Sequence, residues 1–354
     1  MKELKNLRQR INSVDKKIIQ LLNERAGVVH EVAKIKKQHK VEYYSASREE
    51  EVYSNISRIN KGLLDKNSLK NIYREIMSAS LALEKDITVT FLGPEASFTQ
   101  MAASKKFGSS VKYLPAVSIS DVFSLVEKGS ADYGVVPIEN SIEGGVTHTL
   151  DMFIDSDLKI CAEIYLEITH YLIGNCALGS IKKIYSKPEV FGQCRLWLEA
   201  NLPGLEYIPS SSTTAAAIRA AKEKHAAAIA SSLAAEKYNM KILAGSIQDT
   251  AHNETRFLIV GRNYSKKSKK NKTSVLLMIK DKVGALYELL QPFKKMKINL
   301  TKIESRPSRK RAWEYYFFVD FDGYVEDEKI KKCVRDISRH CKYVKILGSY
   351  PRVF

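Results

Sequence analysis

The stretch Gly134-Val135-Val136-Pro137-Ile138-Glu139-Asn140-Ser141-Ile142-Glu143-Gly144-Gly145-Val146 decides the fold. An apolar run gives way to a turn of polar and glycine residues, the pattern of a buried strand whose far end meets solvent. Runs of the same kind fall at residues 87–92, 226–230 and 256–260, and helical patterns separate them. That order predicts an α/β layered fold over residues 87–265. In such sheets, polar residues just past strand ends are the usual ligand contacts. Two further stretches have that character. Phe91-Leu92-Gly93-Pro94-Glu95-Ala96-Ser97-Phe98-Thr99 reads as strand, turn and helix start, whose free amides would suit an anion. Thr255-Arg256-Phe257 opens the last strand. None of the three is a dinucleotide, P-loop or metal motif.

Outward from this centre the periodicity changes on both sides. Residues 1–86 carry only helical patterns. Residues 273–350 read strand, helix, strand, strand, helix, strand, a ferredoxin-like βαββαβ unit within a third domain, 273–354. A chain of 354 residues has room for three such domains. The formal charge of +17 is unevenly spread: 18 basic against 12 acidic residues in 1–86, 16 against 18 in 87–265, and 23 against 10 in 266–354. The run Lys266-Lys267-Ser268-Lys269-Lys270-Asn271-Lys272 lacks interleaved aromatics, so it reads as a solvated linker rather than a nucleic-acid contact. No stretch approaches the roughly 18 apolar residues of a membrane span. The five cysteines have no C-x-x-C spacing, which argues against a zinc site or disulfide framework. The N-terminus reads as an amphipathic helix and not as a secretory leader, so the expected location is cytoplasmic. His148, His170, His225, His252 and His340 show no ligand spacing, and Trp197 and Trp313 read as core or interface aromatics.

In the first helical pattern, Leu4, Leu7, Ile11, Val14, Ile18, Leu21, Val28, Val32 and Ile35 recur at alternating threes and fours. Arg25 breaks this seam. A guanidinium there needs an anion, from a glutamate or from a ligand. Lys36 lies 11 residues on, about 1,100° of rotation, and so points nearly the same way. Arg8 lies 17 residues before, roughly 100° away and about 25 Å along the axis. One small ligand cannot touch both arginines of one straight helix. If both serve one ligand, Arg8 comes from a partner chain, which implies an intertwined homodimer or higher homo-oligomer. Further on, Ser47-Arg48-Glu49-Glu50 fits a capping box, and Ile72, Ile76, Ser80 and Glu84 form one row that turns from apolar to polar.

These residues resemble the helical AroQ-class chorismate mutase domain, over nearly all of 1–86. The resemblance implies that Arg25, with Arg8 of the other subunit, holds the two substrate carboxylates. Lys36 and Glu84 would hydrogen-bond the ether oxygen of the breaking bond, Glu49 would receive the ring hydroxyl, and Arg48 and Ser80 would complete the wall. The reaction is a rearrangement that needs a compact substrate and donors at the oxygen where charge gathers, with no cofactor. Glu84 stands where some members have glutamine. It would have to carry a proton to donate, so activity would decline at alkaline pH. Ser45 stands where some have aspartate.

The central segment resembles prephenate dehydratase. The resemblance rests on the three stretches above with Tyr185-Ser186-Lys187-Pro188, Gln193-Cys194, Ser212-Thr213-Thr214-Ala215-Ala216 and Asn253-Glu254-Thr255. It implies two α/β lobes with a site in the cleft. Thr255 would assist departure of the ring hydroxyl as carbon dioxide leaves, and Arg256 would help hold a carboxylate. Asn140, Ser141, Ser186, Gln193 and Thr213 would line the cleft. Lys187 stands where the family often has histidine. Finally, Val283-Gly284-Ala285-Leu286 and Glu304-Ser305-Arg306-Pro307 resemble the ACT domains attached to such dehydratases. There, Gly284, Ala285 and Leu286 with Glu304, Ser305, Arg306 and Pro307 would form a phenylalanine site at a subunit interface. The whole resemblance implies a bifunctional enzyme of phenylalanine biosynthesis that takes chorismate through prephenate to phenylpyruvate, is feedback-inhibited by phenylalanine, and needs no cofactor or metal.

Overall fold

The structure, a computed structural model, describes residues 1–39, 41–280, 282–308 and 314–353. Trp313 lies outside the described residues. The chain divides into two units: residues 1–88 with 106–112, and residues 89–105 with 113–354.

The first unit holds three helices: α1 (Lys2–His39), α2 (Ala46–Ile59) and α3 (Lys66–Glu84). Glu3 in the first turn of α1, and Lys36, Lys37 and His39 in its last, match the helix dipole. The apolar seam of α1 stands 39–63 % exposed, and only Ala33 of this helix is buried. The α2 cap differs from expectation. Ser45, not Ser47, is the N-cap and accepts the Arg48 amide at 3.3 Å, because it alone has the extended backbone that aims the hydroxyl inward. Asp65 caps α3 through the Asn67 and Ser68 amides.

The segment 106–112 completes this unit. Ser109 donates through its amide and hydroxyl to Glu75 at 2.9 and 2.7 Å, and the Ser110 amide donates to Ser78 Oγ at 2.9 Å. Gly108 has φ +72°, and a Cβ there would stand 2.5 Å from Ser78 Cβ. Only glycine meets both conditions.

In the second unit a ten-stranded sheet runs in the order Leu300–Pro307, Tyr315–Asp322, Asn271–Ile279, Cys341–Pro351, Lys159–Glu167, Glu254–Gly261, Tyr133–Asn140, Thr88–Leu92, Lys112–Ala116, with Gly144–Gly145 paired to Tyr133–Asn140. The strand-helix-strand-strand-helix-strand reading of the C-terminal segment holds, with helices Ala285–Lys295 and Glu328–Ser338 on one face. Its last strand joins the central sheet at Gly348, opposite Ile160. A Cβ on Gly348 would collide with the Ile160 carbonyl, so the side-chain-free backbone permits the junction. The lysine run before it is not all solvated linker. Lys272 is buried within strand Asn271–Ile279 and donates to Glu163 at 2.8 Å, since pairing carries it inside.

A second sheet of five strands orders Lys241–Ala244, Tyr171–Gly174, Ala226–Ala230, Lys183–Ser186, Glu206–Pro209. Its central strand, four alanines and Ile229, is wholly buried, and Ala226, Ala228 and Ala230 let helix Thr213–Lys222 approach closely. Two segments cross between the sheets, 168–170 and 245–253. They are tied where the Ile168 amide donates to the Asn253 carbonyl at 2.7 Å.

Candidate active sites

In the helical unit, Arg25 Nη1 donates to Ser80 Oγ, which in turn donates to the Ile76 carbonyl. Among the described residues Arg25 forms no ion pair with a carboxylate. One turn further along α3, Glu84 receives Lys36 Nζ at 2.5 Å, and Lys36 also donates to the Tyr43 carbonyl at 2.8 Å. Lys36 and Glu84 are mostly buried, at 23 % and 10 % side-chain exposure. Glu49 accepts the Tyr44 hydroxyl at 2.9 Å and Lys106 Nζ at 2.8 Å. Tyr53 stands beside it, and burial together with the Glu49 charge raises its hydroxyl far above the ordinary range. Arg48 points outward and pairs with Glu51 at 2.8 Å, and Arg8 is exposed. Sequence reasoning missed Tyr44 and Lys106.

The second site is organised by strand parity. Glu254–Gly261 pairs with Tyr133–Asn140 so that Thr255 opposes Asn140 and Arg256 opposes Glu139, with a bulge between Arg256 and Phe257. Successive side chains face opposite sides of the sheet. On one side, Asn140 Oδ1 accepts the Ile142 and Glu143 amides, which fixes its orientation. Its Nδ2 then donates to Thr255 Oγ1 at 2.8 Å and to Asn253 Oδ1 at 2.7 Å. Asn253 Nδ2 donates to Gln193 Oε1 at 3.2 Å, and Gln193 Nε2 donates to Glu143 at 2.8 Å. His170 Nε2 lies 2.8 Å from the same Gln193 Oε1. Because that oxygen only accepts, His170 must present Nε2–H, and its buried Nδ1 has no partner among the described residues. Burial pushes the His170 pKa below its ordinary value, although the Gln193 bond opposes this.

Ser141 closes the adjoining turn, donating to the His252 carbonyl and accepting the Glu254 amide. A cavity of about 280 Å³ adjoins Glu143 and Gln193. Ser186 and Thr213 are buried in the second lobe, where Ser186 donates to the Ile229 carbonyl. They share no hydrogen bond with this chain of groups among the described residues. His170, given no role from its spacing, is a member of it.

On the other side, Arg256 is 3 % exposed. Its guanidinium meets Glu163 at 2.9 Å, Glu139 at 2.9 Å, Asp320 at 2.7 Å and Tyr350 Oη at 2.9 Å. Lys272 and Lys302 join the same carboxylates, at Glu163 and Glu139. Although burial opposes it, Lys302 and Arg256 hold the Glu139 carboxyl below the ordinary range. Arg256 therefore does not line the Thr255 side, contrary to expectation. Three internal carboxylates occupy it, and its strand parity turns it away.

In the C-terminal segment, Gly284, Ala285 and Leu286 line a cavity of about 300 Å³ with Ile279, Tyr315 and Phe317. The other motif splits by parity along Leu300–Pro307. Ser305 and Pro307 are exposed, whereas Glu304 pairs with Lys302 and Arg306 pairs with Asp151 at 3.0 Å. Among the described residues no cluster of three or more His, Cys, Asp or Glu could hold a metal.

The cation pocket of the helices and the oriented hydroxyl of the cleft define a multifunctional enzyme acting on small carboxylates. The family models agree with that order. Chorismate mutase type II matches residues 7–85, prephenate dehydratase 89–265, and the ACT domain 273–339. The chain is 46 % identical to the bifunctional chorismate mutase/prephenate dehydratase of Aquifex aeolicus (strain VF5), over 99 % of both chains. It is 43 % identical to that of Stutzerimonas stutzeri, over 99 % of this chain and 98 % of the other. A prephenate dehydratase from Arthrobacter aurescens, solved in complex with L-Phe, shares 35 % identity at a TM-score of 0.70, covering 75 % of this chain and 90 % of that one. The chain belongs to the bifunctional chorismate mutase/prephenate dehydratase family. It is an enzyme with both activities, an isomerase and a lyase.

Proposed function

We propose that the two activities follow one another, chorismate to prephenate to phenylpyruvate, with separate sites in one chain. The observation that carries the second step is the bond from Asn140 to Thr255. Because Oγ1 accepts from Asn140, the threonine proton remains free for the departing ring hydroxyl. Asn253, Gln193 and His170 hold Asn140 in that orientation. Ser141, Ser186 and Thr213 complete the cleft.

For the first step, Arg25 takes one substrate carboxylate and Arg8 of a partner subunit the other. Lys36 and Glu84 attend the ether oxygen, Glu49 the ring hydroxyl, and Ser80 steadies Arg25. Arg48 closes the wall after leaving Glu51. The exposed seam of α1 supports a homodimer, since a second copy of this helix would cover it. Phenylalanine occupies the Gly284–Leu286 cavity at the start of helix Ala285–Lys295, where Gly284 has φ +79°. Ser305 and Pro307 meet it from a partner subunit, while Arg306 ties the motif to Asp151 of helix Thr147–Asp155 and Glu304 pairs with Lys302 of its own strand. The likeness to the dehydratase bound to L-Phe supports this regulation. Five free thiols suit a reducing cytoplasm.

The test is turnover of chorismate by the purified chain, with prephenate and phenylpyruvate followed separately, with and without phenylalanine. Phenylpyruvate formation that falls on adding phenylalanine is expected. No prephenate from chorismate would sink the mutase assignment, and no response to phenylalanine would sink the regulatory one.

A further inference from the structure

The mutase substrate is a dianion, yet its pocket contains two carboxylates. Glu84 is offset by Lys36. Glu49, on the other helix, would stand uncompensated if residues 1–86 were the whole site. A second negative charge left bare in a weakly screened pocket would oppose binding of a dianion unless a cation intervenes. Lys106 supplies a cation, 2.8 Å from Glu49. Both side chains are largely enclosed, at 17 % and 11 % exposure, so solvent screens the pair weakly.

Lys106 lies inside the stretch matched by the dehydratase family, not the mutase family. Its position is fixed by several independent contacts. The neighbouring Phe107 ring packs on Tyr44 with centroids 4.9 Å apart, and Tyr44 also donates to Glu49. Gly108, Ser109 and Ser110 lock onto Ser78 and Glu75 of α3. The hydrogen bonds of Ser109 hold the Glu75 carboxyl below the ordinary range against the opposing effect of burial. The Tyr43 carbonyl holds Lys36 while the next residue holds Glu49, so both lysine–carboxylate pairs hang on one turn.

We infer that Lys106 is a positioning residue of the mutase site, supplied by the dehydratase stretch, which neutralises Glu49 and aims it at the substrate. This rests on the reading of Glu49 as the residue that meets the ring hydroxyl. Lys106 itself touches no reacting atom.

The experiment uses the full chain with Lys106→Met, Lys106→Arg, Glu49→Gln and Lys106→Met combined with Glu49→Gln. Each is assayed for chorismate and, separately, prephenate consumption. Lys106→Met should lower mutase kcat/KM about tenfold or more, while prephenate turnover stays within about twofold. Lys106→Arg should recover most of the loss, because it keeps the charge. In the Glu49→Gln background, Lys106→Met should cost little further, because the amide needs no neutralising partner. An unchanged mutase in Lys106→Met overturns the inference, as does equal loss of both activities, no recovery in Lys106→Arg, or a full second loss in the double variant. If Glu49→Gln alone leaves mutase activity intact, the role of Glu49 fails as well; if it lowers activity and Lys106→Met does not, only Lys106 is wrongly placed.

Discussion

Asn140 and Thr255 stand directly opposite on neighbouring strands, and the amide of one donates to the hydroxyl of the other at 2.8 Å. The direction of that bond is set by two backbone amides on Asn140 Oδ1. Reversing it should disarm Thr255. Asn140→Asp replaces the donor by an acceptor, so the threonine proton would turn toward the new carboxylate. Prephenate turnover should fall roughly 100-fold or more in this variant and in Thr255→Val, with mutase activity retained in both. Thr255→Ser should keep most of its activity. Steady-state assays on both substrates check this, and equal loss of the two activities would count against separate sites.

Arg256 should matter to stability. Arg256→Met leaves Glu139, Glu163 and Asp320 close together with only Lys272 and Lys302 to offset them. Breaking a buried ion cluster from one side costs about 3–5 kcal/mol. Denaturant unfolding should register a loss of that size. A loss below about 1 kcal/mol would show that the cluster tolerates the vacancy.

The sequence already contained part of this. Alternating parity alone puts neighbours Thr255 and Arg256 on opposite faces, so both could not line one pocket. The strands themselves were legible because their apolar runs are short and bounded by turns. Strand Ala226–Ala230 was readable to the residue. Which face of Glu254–Gly261 carries the site was not readable, because its burial is uniform from Thr255 onward. Gln193 came from a motif, but His170 sits 23 positions away on a crossing segment, and no local period reports such a contact. Lys106 was invisible for the same reason, 57 positions beyond Glu49.

His170 gives a pH prediction. Its folded pKa lies below the ordinary 6.5, so the unfolded chain binds the proton more readily. Stability is therefore lost as pH falls through about 6.5, by at most about 1.4 kcal/mol per pH unit, until the folded histidine also titrates. His170→Gln keeps a donor at the Nε2 position and should remove this slope while sparing dehydratase activity. His170→Asn places its amide short of Gln193 and should lower kcat. Unfolding curves between pH 5 and pH 8, roughly the range of histidine titration, measure the slope. An unchanged slope in His170→Gln would assign it to another group.

The borrowed arginine can be tested by mixing. Arg8→Ala and Arg25→Ala chains should each lack mutase activity. After subunit exchange, about a quarter of the sites should be intact, one per mixed dimer. No recovery, with exchange proven by mass-tagged chains, would mean that Arg8 serves elsewhere.

The alternation along Glu254–Gly261 also bears on how this protein can change over time. Each residue of the triplet answers to a different master: Thr255 to the reaction, Arg256 to the ion cluster, Phe257 to the core. Inserting or deleting a single residue upstream would exchange their faces, placing a guanidinium in the cleft and a hydroxyl among three carboxylates. Point substitutions in this strand can be explored one at a time, but its length cannot drift. The spacing between the crossing segment and the strand is therefore inherited as a unit, whatever happens to the loops around it.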